Sequence, residues 1–398
     1  MDDLPMSIAG WSELHDDVLE HLTSFLSLPD FHRFGAVCRN WHSVARQKRH
    51  PPRQLPWLVL GEDDATHKSK FFSLEENKTY LIEIPELQGQ RLCGSSYGWL
   101  FTLDIELNFR LLNPLTRKQY DLPPLPPYNS HNNITTYVKG PRSENYFTFE
   151  AMQLSLVAKA ILDHDPSRSS DFKVLIMYGE RNRLAFWKLG DPTWTLIPDA
   201  YIRFNDIIFY KEDFYAVGCC SRYNEIYLVN TGLSPYAKRV GPLVKEYDTF
   251  TYLVDYLGEL LIVQRYRKVY KGQLYKTEKI IIFKIDLEHE RYSEYKPTEG
   301  YSVFMGANSC MTVDPSKYPG CKKNALYLTD LPQQVFERHG SKDLLIYDMV
   351  EESRERSVVA HDQVAAHGAT SKFALLYLFS LIIMSRIMVL VCVAWMRL

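Results

Sequence analysis

The sequence predicts a mainly β chain in which a small helical unit precedes a long domain of short strands. Aromatic residues make up 13% of the 398 residues, and aromatic side chains favour strands. From about residue 55 to residue 350, short apolar runs alternate with turn residues, whereas helical periodicity is clearest in the first fifty residues. With 46% hydrophobic residues the chain can form a sizeable core, and a formal net charge of −2 excludes a globally basic nucleic-acid-binding protein.

The first fifty residues are expected to form three short helices. Residues 1–30 hold seven acidic residues and no Lys or Arg, while residues 31–53 hold six basic residues and no acid. Asp16 and Asp17 favour the start of a helix, because carboxylates stabilise the positive end of the helix dipole. A second helix is predicted to begin at Ser27-Leu28-Pro29-Asp30, and Asn40 is predicted to cap a third. The first helix carries a stripe of apolar residues at helical spacing: Val18, Leu19, Leu22, Phe25 and Leu26.

Three helices this short bury little surface by themselves. Some of their apolar side chains are therefore expected to face a partner. The alternative is that the helices form a cap on the larger domain.

The order of residues over positions 8–50 resembles the F-box. The resemblance is carried by Trp11-Ser12-Glu13-Leu14-His15, by Leu28-Pro29-Asp30 and by Val37-Cys38-Arg39-Asn40-Trp41. It implies that the helices dock on Skp1 and, through Skp1, on a cullin-RING ubiquitin ligase. One position departs from the family pattern: His15 stands where the family usually has proline, at the adaptor-facing edge, which is expected to weaken docking.

The resemblance also implies which side chains bind Skp1. Aliphatic anchors at helical spacing fit the recognition of a helix in a groove. Each of these residues has core packing within the helical unit as its alternative role, and for Val37 and Trp41 core packing is at least equally expected. The set consists of Leu14, Leu19, Leu22, Leu26, Leu28, Val37, Cys38 and Trp41.

The middle of the chain predicts about six blocks of short strands, which favours a β-propeller of four-stranded blades over an array of β-sandwiches. The only long amphipathic helix expected in this region covers residues 151–162. Predicted strand partners are residues 57–60 with 71–74, 99–103 with 109–112, 174–178 with 184–189, 214–217 with 225–229, 260–265 with 279–285, and 325–329 with 344–347.

Residues 57–349 resemble the plant DUF295 family, also called the KIB1-4 β-propeller domain. The resemblance rests on Gly94-Ser95-Ser96-Tyr97-Gly98-Trp99, on Leu111-Leu112-Asn113-Pro114 and on Tyr318-Pro319-Gly320-Cys321. An F-box followed by this domain implies the substrate-recognition subunit of an SCF-type ubiquitin ligase, which binds a target protein and is not itself an enzyme. The competing hypothesis is a propeller scaffold with a degenerate F-box. No secretory signal begins the chain, so the expected location is the cytoplasm or the nucleus.

Four sequence features with catalytic or metal-binding potential are interpreted structurally. Gly94-Ser95-Ser96-Tyr97-Gly98 matches the hydrolase pattern G-x-S-x-G, but a predicted strand follows it where a hydrolase needs a helix. Asp163-His164-Asp165 is predicted to lie in a solvated loop, and Cys219-Cys220 to be buried in a strand. Cys310 and Cys321 lack the partner spacing of a zinc site, so neither a metal nor a cofactor is expected.

A basic segment around residues 265–271 is the best surface candidate for binding an acidic partner. It interleaves basic and aromatic residues, as nucleic-acid-binding segments do. Because it lies between two predicted strands, a solvated hairpin loop is favoured and nucleic acid is not expected. Its cations are Arg265, Arg267, Lys268 and Lys271.

The C-terminal segment, residues 371–398, is strongly apolar. Residues 373–395 contain thirteen Leu, Ile, Phe or Val residues, whose combined insertion free energy exceeds the cost of about 3 kcal/mol for the single Arg386. Their length suffices to cross a bilayer. The sequence therefore predicts a transmembrane helix that anchors the chain with its propeller in the cytosol. The alternatives are a helix packed on the propeller and an ending foreign to the family.

Overall fold

The computed structural model contains a helical unit and a β-propeller, and the two are described separately. The contact pattern divides the chain into residues 1–55 with 394–398 and residues 56–393. Residues described are 11–23, 25–26, 28–47, 57–63, 66–73, 78–126, 129–130, 133–134, 156–179, 182–198, 202–246, 250–270, 273–306, 310–318, 320–329, 344–356 and 389–391.

The helical unit contains the three helices that the sequence predicts. A 3₁₀ turn over Trp11–Glu13 precedes α1 (Asp16–Thr23), α2 (Leu28–Gly35) and α3 (Arg39–Gln47). The helix α1 begins where His15 offers its carbonyl oxygen to the backbone N–H groups of Val18 and Leu19, at 3.0 and 3.1 Å. The predicted cap at Asn40 is wrong, because α3 has already begun at Arg39.

The larger unit is built of antiparallel sheets that follow one another along the chain. Its strands are β1 (Trp57–Glu62), β2 (Ser69–Ser73), β3 (Lys78–Ile82), β4 (Arg91–Ser96), β5 (Trp99–Leu103), β6 (Phe109–Leu112), β7 (Gln119–Asp121), β8 (Asn129–Ser130), β9 (Asn133–Ile134), β10 (Val157–Leu162), β11 (Lys173–Tyr178), β12 (Arg183–Lys188), β13 (Thr195–Leu196), β14 (Arg203–Tyr210), β15 (Asp213–Cys220), β16 (Tyr223–Asn230), β17 (Tyr236–Lys245), β18 (Phe250–Tyr256), β19 (Glu259–Tyr270), β20 (Gln273–Asp286), β21 (Arg291–Glu294), β22 (Ser302–Gly306), β23 (Cys310–Val313), β24 (Ala325–Thr329), β25 (Leu344–Asp348), β26 (Arg354–Arg356) and β27 (Val389–Val391).

These strands form six sheets of four or five strands in the described part of the chain, and a two-stranded ribbon, β8–β9. Four sheets are simple four-stranded meanders: β4 to β7, β10 to β13, β14 to β17 and β18 to β21. A fifth has the order β23-β22-β24-β25-β26, in which β22 and β24 are parallel. In the meanders, the first strand of each sheet contacts the first strand of the next, as in a propeller. The predicted mainly β propeller is confirmed.

The core lies between successive sheets and explains the aromatic content of the sequence. One cluster between the β4 and β10 sheets contains Trp99, Phe101, Phe109, Phe172 and Trp187, all buried. Aromatic side chains suit this position because each covers a large area of the pleated surface opposite.

The predicted helix over residues 151–162 is wrong in its second half. Val157–Leu162 form β10, the first strand of its sheet, and residues 151–155 lie outside the described residues. Five of the six β10 residues are buried, because the strand is covered on both faces. A strand covered on both faces is apolar on both, so its pattern is easily mistaken for that of a buried helix.

A buried ion pair joins three neighbouring sheets. Lys159 on β10 places its Nζ 2.6 Å from Oδ1 of Asp206 on β14, and both side chains are 3% exposed. Asp206 also accepts hydrogen bonds from the backbone N–H of Ile207, at 2.9 Å, and of Leu253 on β18, at 2.8 Å. Burial raises the pKa of the Asp206 carboxyl, and the Lys159 ammonium opposes that effect.

The strand β27 extends the sheet of β1 to β3. It pairs with β1 in antiparallel register, Trp57 opposite Val391 and Val59 opposite Val389, and it contacts β4 and β22. It therefore occupies the place that the first strand holds in each meander sheet. The other residues of the predicted transmembrane segment 373–395 lie outside the described residues. Within the described ranges, no helix combines the length and the apolar character needed to cross a membrane.

Candidate functional site

The core of the helical unit is small. Besides Phe31 of α2, which is 5% exposed, its buried apolar cluster consists of Leu19 of α1, Phe34 of α2 and Val44 of α3, with exposures of 0%, 5% and 2%. The partly buried side chains of Leu14, Leu26, Trp41 and Ala45 pack against them. Four of the residues predicted to bind Skp1, Leu14, Leu19, Leu26 and Trp41, therefore contribute to this core.

Asn40 and Trp41 tie the N-terminal segment to α3. The Asn40 side-chain amide donates to the carbonyl oxygen of Leu14, at 3.2 Å. The indole N–H of Trp41 donates to the carbonyl oxygen of Trp11, at 3.0 Å, while its ring lies 4.4 Å from the ring of Phe34. Asn40 and Trp41 of the Val-Cys-Arg-Asn-Trp segment therefore hold the chain that precedes α1. Because the Trp41 ring also packs against Phe34, the structure gives Trp41 a role in core packing.

Other apolar side chains of the helical unit are exposed. Leu22 and Val37 belong to the predicted set and are 37% and 57% exposed, so Val37 is not a core residue. Cys38 is partly buried, and the side chain of Leu28 lies outside the described residues. The prediction omitted three exposed apolar residues: Trp11, Val18 and Phe25.

The exposed residues around α1 follow a pattern that the sequence contains. Val18 and Leu22 are spaced at i and i+4, which places them along one side of α1. The predicted stripe continued the first helix to Phe25 and Leu26, but α1 ends at Thr23 and Phe25 lies in the turn that follows. Leu19 lies beside this row and is buried. The apolar stripe predicted from the sequence is therefore divided, with one part in the core and one part available to a partner.

His15 stands at the entrance to α1 and its side chain is exposed. The nearest ionic partner of its ring is Asp17, with Nδ1 and Oδ2 3.7 Å apart. The backbone carbonyl, not the side chain, makes the bonds that begin α1. The helix therefore starts regularly although histidine occupies the position of the family's proline.

The basic segment is a strand pair, so the predicted hairpin loop is wrong. The hairpin β19–β20 continues through it, and Tyr266 lies opposite Lys279. Arg265 is completely buried, and its Nε donates to the Thr277 hydroxyl at 2.7 Å. Lys268 is exposed, and its ammonium lies 3.5 Å from a Glu278 carboxylate oxygen.

Arg265 therefore does not contribute to a cationic surface. The backbone of Arg267 belongs to β19, but its side chain lies outside the described residues, as does the whole of Lys271. Of the two predicted cations whose side chains are described, only Lys268 is exposed.

The hydrolase-like pattern forms a β-hairpin. Ser96 ends β4, Tyr97 and Gly98 make the turn, and β5 follows, so the strand predicted after this pattern is confirmed. The Ser96 hydroxyl accepts a hydrogen bond from the backbone N–H of Leu162, at 3.2 Å. A Cβ on Gly94 would lie 2.1 Å from the carbonyl oxygen of Ala160, so the first glycine allows β4 and β10 to approach closely. The residues of this pattern serve sheet packing.

The solvated loop predicted at Asp163-His164-Asp165 is only partly correct. His164 is exposed, but Asp163 is buried and accepts a hydrogen bond from the Lys173 N–H, at 2.6 Å. The Asp165 carboxylate accepts from the indole N–H of Trp99, at 3.2 Å. Both carboxylates therefore stabilise the fold.

The adjacent cysteines differ from the prediction and from each other. Cys220 is exposed, whereas Cys219 is partly buried. Burial, together with a hydrogen bond to Glu246, raises the pKa of the Cys219 thiol to about 12. A thiol with this pKa is a poor nucleophile, because the thiolate is the reactive form. Among the described residues, no group of three or more His, Cys, Asp or Glu side chains is arranged to hold a metal ion.

Comparison with known proteins identifies both parts of the chain. Residues 71–348 match the family described as KIB1-4 beta-propeller, and residues 11–51 match the F-box domain. The F-box protein At2g05970 of Arabidopsis thaliana is 25% identical over 381 residues, covering 87% of this chain and 91% of that protein. The F-box protein At1g10110 of the same plant is 37% identical over 119 residues, 29% of each chain.

Proposed function

The chain belongs to the KIB1-4 β-propeller family and carries an F-box ahead of that domain, and we propose that it is the substrate-recognition adaptor of an SCF-type ubiquitin ligase. In this role the F-box binds Skp1, and through Skp1 a cullin-RING ligase, while the propeller binds a target protein. The adaptor itself catalyses no reaction. Its contribution is proximity, because holding the target beside the ligase raises the effective concentration of target lysines.

The observation that carries the proposal is the exposed apolar side chains of α1 and of the turn that follows it. Val18 and Leu22 of α1 and Phe25 just after it are exposed beside a small buried core. Exposed apolar side chains at helical spacing are the anchors by which an amphipathic helix binds an apolar surface on a partner. Val37 and Trp11 add further exposed apolar area in the same unit.

A binding experiment with purified Skp1 tests this role. We expect the full-length chain to retain Skp1 in a pull-down, and the double variant Val18→Glu with Leu22→Glu to bind at least about tenfold more weakly, since it places two charges among the anchors. Leu14 is a poorer choice for substitution, because its side chain packs against the core of the unit.

The matched control is Leu81→Glu with Leu233→Glu. Both of these leucines are exposed in the propeller, so the control adds the same charge by the same type of change. We expect the control to bind Skp1 like the wild type, and both variants to keep the wild-type circular dichroism. The proposal is wrong if the wild-type chain does not bind Skp1, or if the α1 variant binds as the control does.

The second candidate function is a propeller interaction scaffold whose F-box no longer engages Skp1. The observation favouring it is His15, which replaces the family's proline at the adaptor-facing edge. The same pull-down separates the two functions, because the scaffold retains its target protein without Skp1.

A further inference from the structure

A groove lies between two neighbouring sheets of the propeller, the sheet of β14 to β17 and the sheet of β18 to β21. Its volume is about 560 Å³, within the range of roughly 300–1,000 Å³ that is typical of ligand pockets. Residues 239, 241–243 and 290–292 line it. They belong to β17, to β21 and to the turn before β21, and both strands are the last of their sheets. We name this recess the outer groove, because the first strands of the sheets lie toward the propeller axis.

A bulge in β17 forms the floor of the outer groove. Between the register pairs of Val240 and Val244, three residues of β17 lie opposite a single residue of β16. Gly241 has a φ of 70°, and a Cβ at this position would lie 2.9 Å from the Leu287 side chain of the neighbouring sheet. Gly241 and Pro242 are buried. The bulge therefore brings β17 against the next sheet and re-aims the side chains around it, as bulges commonly do beside binding sites.

Two arginine side chains line the outer groove, one from each sheet. Among the described residues, no carboxylate oxygen lies within 4.0 Å of the Arg239 guanidinium. The Arg291 side chain is 71% exposed, and its Nη2 lies 3.5 Å from a carboxylate oxygen of Asp286. That carboxylate is more closely engaged by His289, whose backbone N–H donates to it at 3.0 Å and whose ring nitrogen lies 2.9 Å away. Both guanidinium groups therefore have N–H donors available to a ligand in the groove.

Two exposed apolar side chains lie in the same groove as the arginines. Leu243 is 41% exposed and Tyr292 is 40% exposed. The Tyr292 ring packs edge-on against Phe283, with the ring centres 5.4 Å apart, so its position is fixed by the sheet beneath it. Glu290 is the one carboxylate in the lining, which leaves the lining with a net charge of +1. The outer groove therefore combines apolar contact area with an excess of positive charge.

The shape of the outer groove favours a segment of a protein over a small molecule. The side chains of Arg239, Leu243, Arg291 and Tyr292 are all exposed, so the groove is open to solvent along its length. Pockets for small molecules usually bury about 70–90% of their ligand. A protein segment can instead place one or two side chains in the groove while the rest of the segment remains outside.

We propose that the outer groove binds an acidic segment of the target protein, with an Asp or Glu carboxylate between the two guanidinium groups and an apolar side chain against Leu243 and Tyr292. This inference rests on the proposed adaptor function. Arginine suits such a partner because its planar fork of N–H donors binds a carboxylate through two parallel hydrogen bonds. Tyrosine and arginine are also among the residues that most often dominate the binding energy of protein interfaces. One carboxylate offsets the net charge of the lining, so the bound segment leaves no excess charge in the groove.

An array of short random peptides, incubated with the labelled full-length chain, tests the inference without knowledge of the target. We expect the retained peptides to combine Asp or Glu with an apolar residue and to give signals about tenfold above those of basic peptides. The test variant is Arg239→Gln with Arg291→Gln, and we expect it to lose this preference. The control is Lys118→Gln with Lys323→Gln, which removes two exposed cations elsewhere in the propeller and is expected to keep the preference.

A second variant tests the apolar contact without a change of charge. Leu243→Ser removes apolar area from the groove, and we expect the signals of the retained peptides to fall about fivefold. The control is Leu196→Ser, which changes a leucine that is 51% exposed in a different sheet and is expected to leave the signals unchanged. Circular dichroism of all the variants shows whether they keep the wild-type fold.

Selection of basic or uncharged peptides overturns the inference, as does an acidic preference that the arginine variant retains or the lysine control loses. Equal signals from the two serine variants overturn the apolar contact. Skp1 binding by the same proteins is measured in parallel. A chain that binds Skp1 but shows no acidic preference refutes the outer groove alone. A chain that selects acidic peptides but does not bind Skp1 refutes the adaptor function and leaves this groove to a scaffold.

Discussion

In the described part of the helical unit the buried apolar residues are Leu19, Phe31, Phe34 and Val44, and exposed apolar side chains lie beside them, whereas in the propeller broad apolar clusters fill the spaces between sheets. The difference follows from geometry. A helix of eight or nine residues covers one narrow stripe, while a sheet packs a whole face against its neighbour. Exposed apolar groups are therefore most informative in the helical unit, where they support the proposed Skp1-binding surface.

The largest effect expected in this comparison is at the buried ion pair of the propeller. Lys159→Met leaves the Asp206 carboxyl without its cation in a site that is 3% exposed, and the expected cost is about 3–5 kcal/mol of unfolding free energy. Urea unfolding followed by tryptophan fluorescence measures it. The control is Lys296→Met, which breaks an exposed pair with Glu352 and is expected to change little. An equal loss of unfolding free energy in both variants would show that burial of the ion pair does not determine the size of the loss.

A smaller effect is expected from removal of residues 371–398. The deletion removes β27, and with it the three register pairs to β1, each hydrogen bond contributing about 1 kcal/mol. We expect the thermal midpoint to fall by several degrees, measured by differential scanning calorimetry. An unchanged midpoint would contradict a role of this strand in the propeller.

A separate fusion experiment tests whether residues 371–398 anchor the chain in a membrane. Residues 371–398 fused to a soluble reporter should remain extractable with carbonate if β27 belongs to the propeller. A reporter that resists extraction would instead favour the membrane anchor that the sequence predicts.

The smallest effect concerns the edge of the helical unit. His15→Pro restores the residue that the F-box family usually has, and we expect Skp1 to bind about two- to tenfold more tightly. Stability should change little, because the His15 side chain is exposed and α1 uses its carbonyl. Titration calorimetry with Skp1 and thermal unfolding measure the two effects. Unchanged or weaker binding would mean that histidine is not what limits docking at this position.

Much of the fold was predictable because its signals are local. Alternating apolar residues and turn residues located the paired strands, and helical apolar spacing with start signals located the helices, although the cap predicted at Asn40 is wrong. The prediction failed at residues 157–162, where burial on both faces removes the alternation that distinguishes a strand. It failed again at Arg265, because a basic residue between two strand signals suggested a solvated loop, whereas β19 continues through this position.

The candidate site was predictable only in part. The F-box pattern located the helical unit but gave core and surface residues together, so Leu19 and Trp41 were grouped with Leu22 and Val37. Helical spacing shows which residues share a side of α1. It does not show how far α2 and α3 cover that side, which depends on their packing.

The sequence by itself determined the order of the elements, the resemblance to the F-box and the KIB1-4 propeller, and the apolar character of the last residues. The tertiary structure decided which of these residues are buried. It placed Lys159 against Asp206 across 47 positions of the chain, buried Arg265 and exposed Val18 and Phe25. The reason is that secondary structure depends on neighbouring residues, whereas burial depends on packing between segments that are distant in the chain.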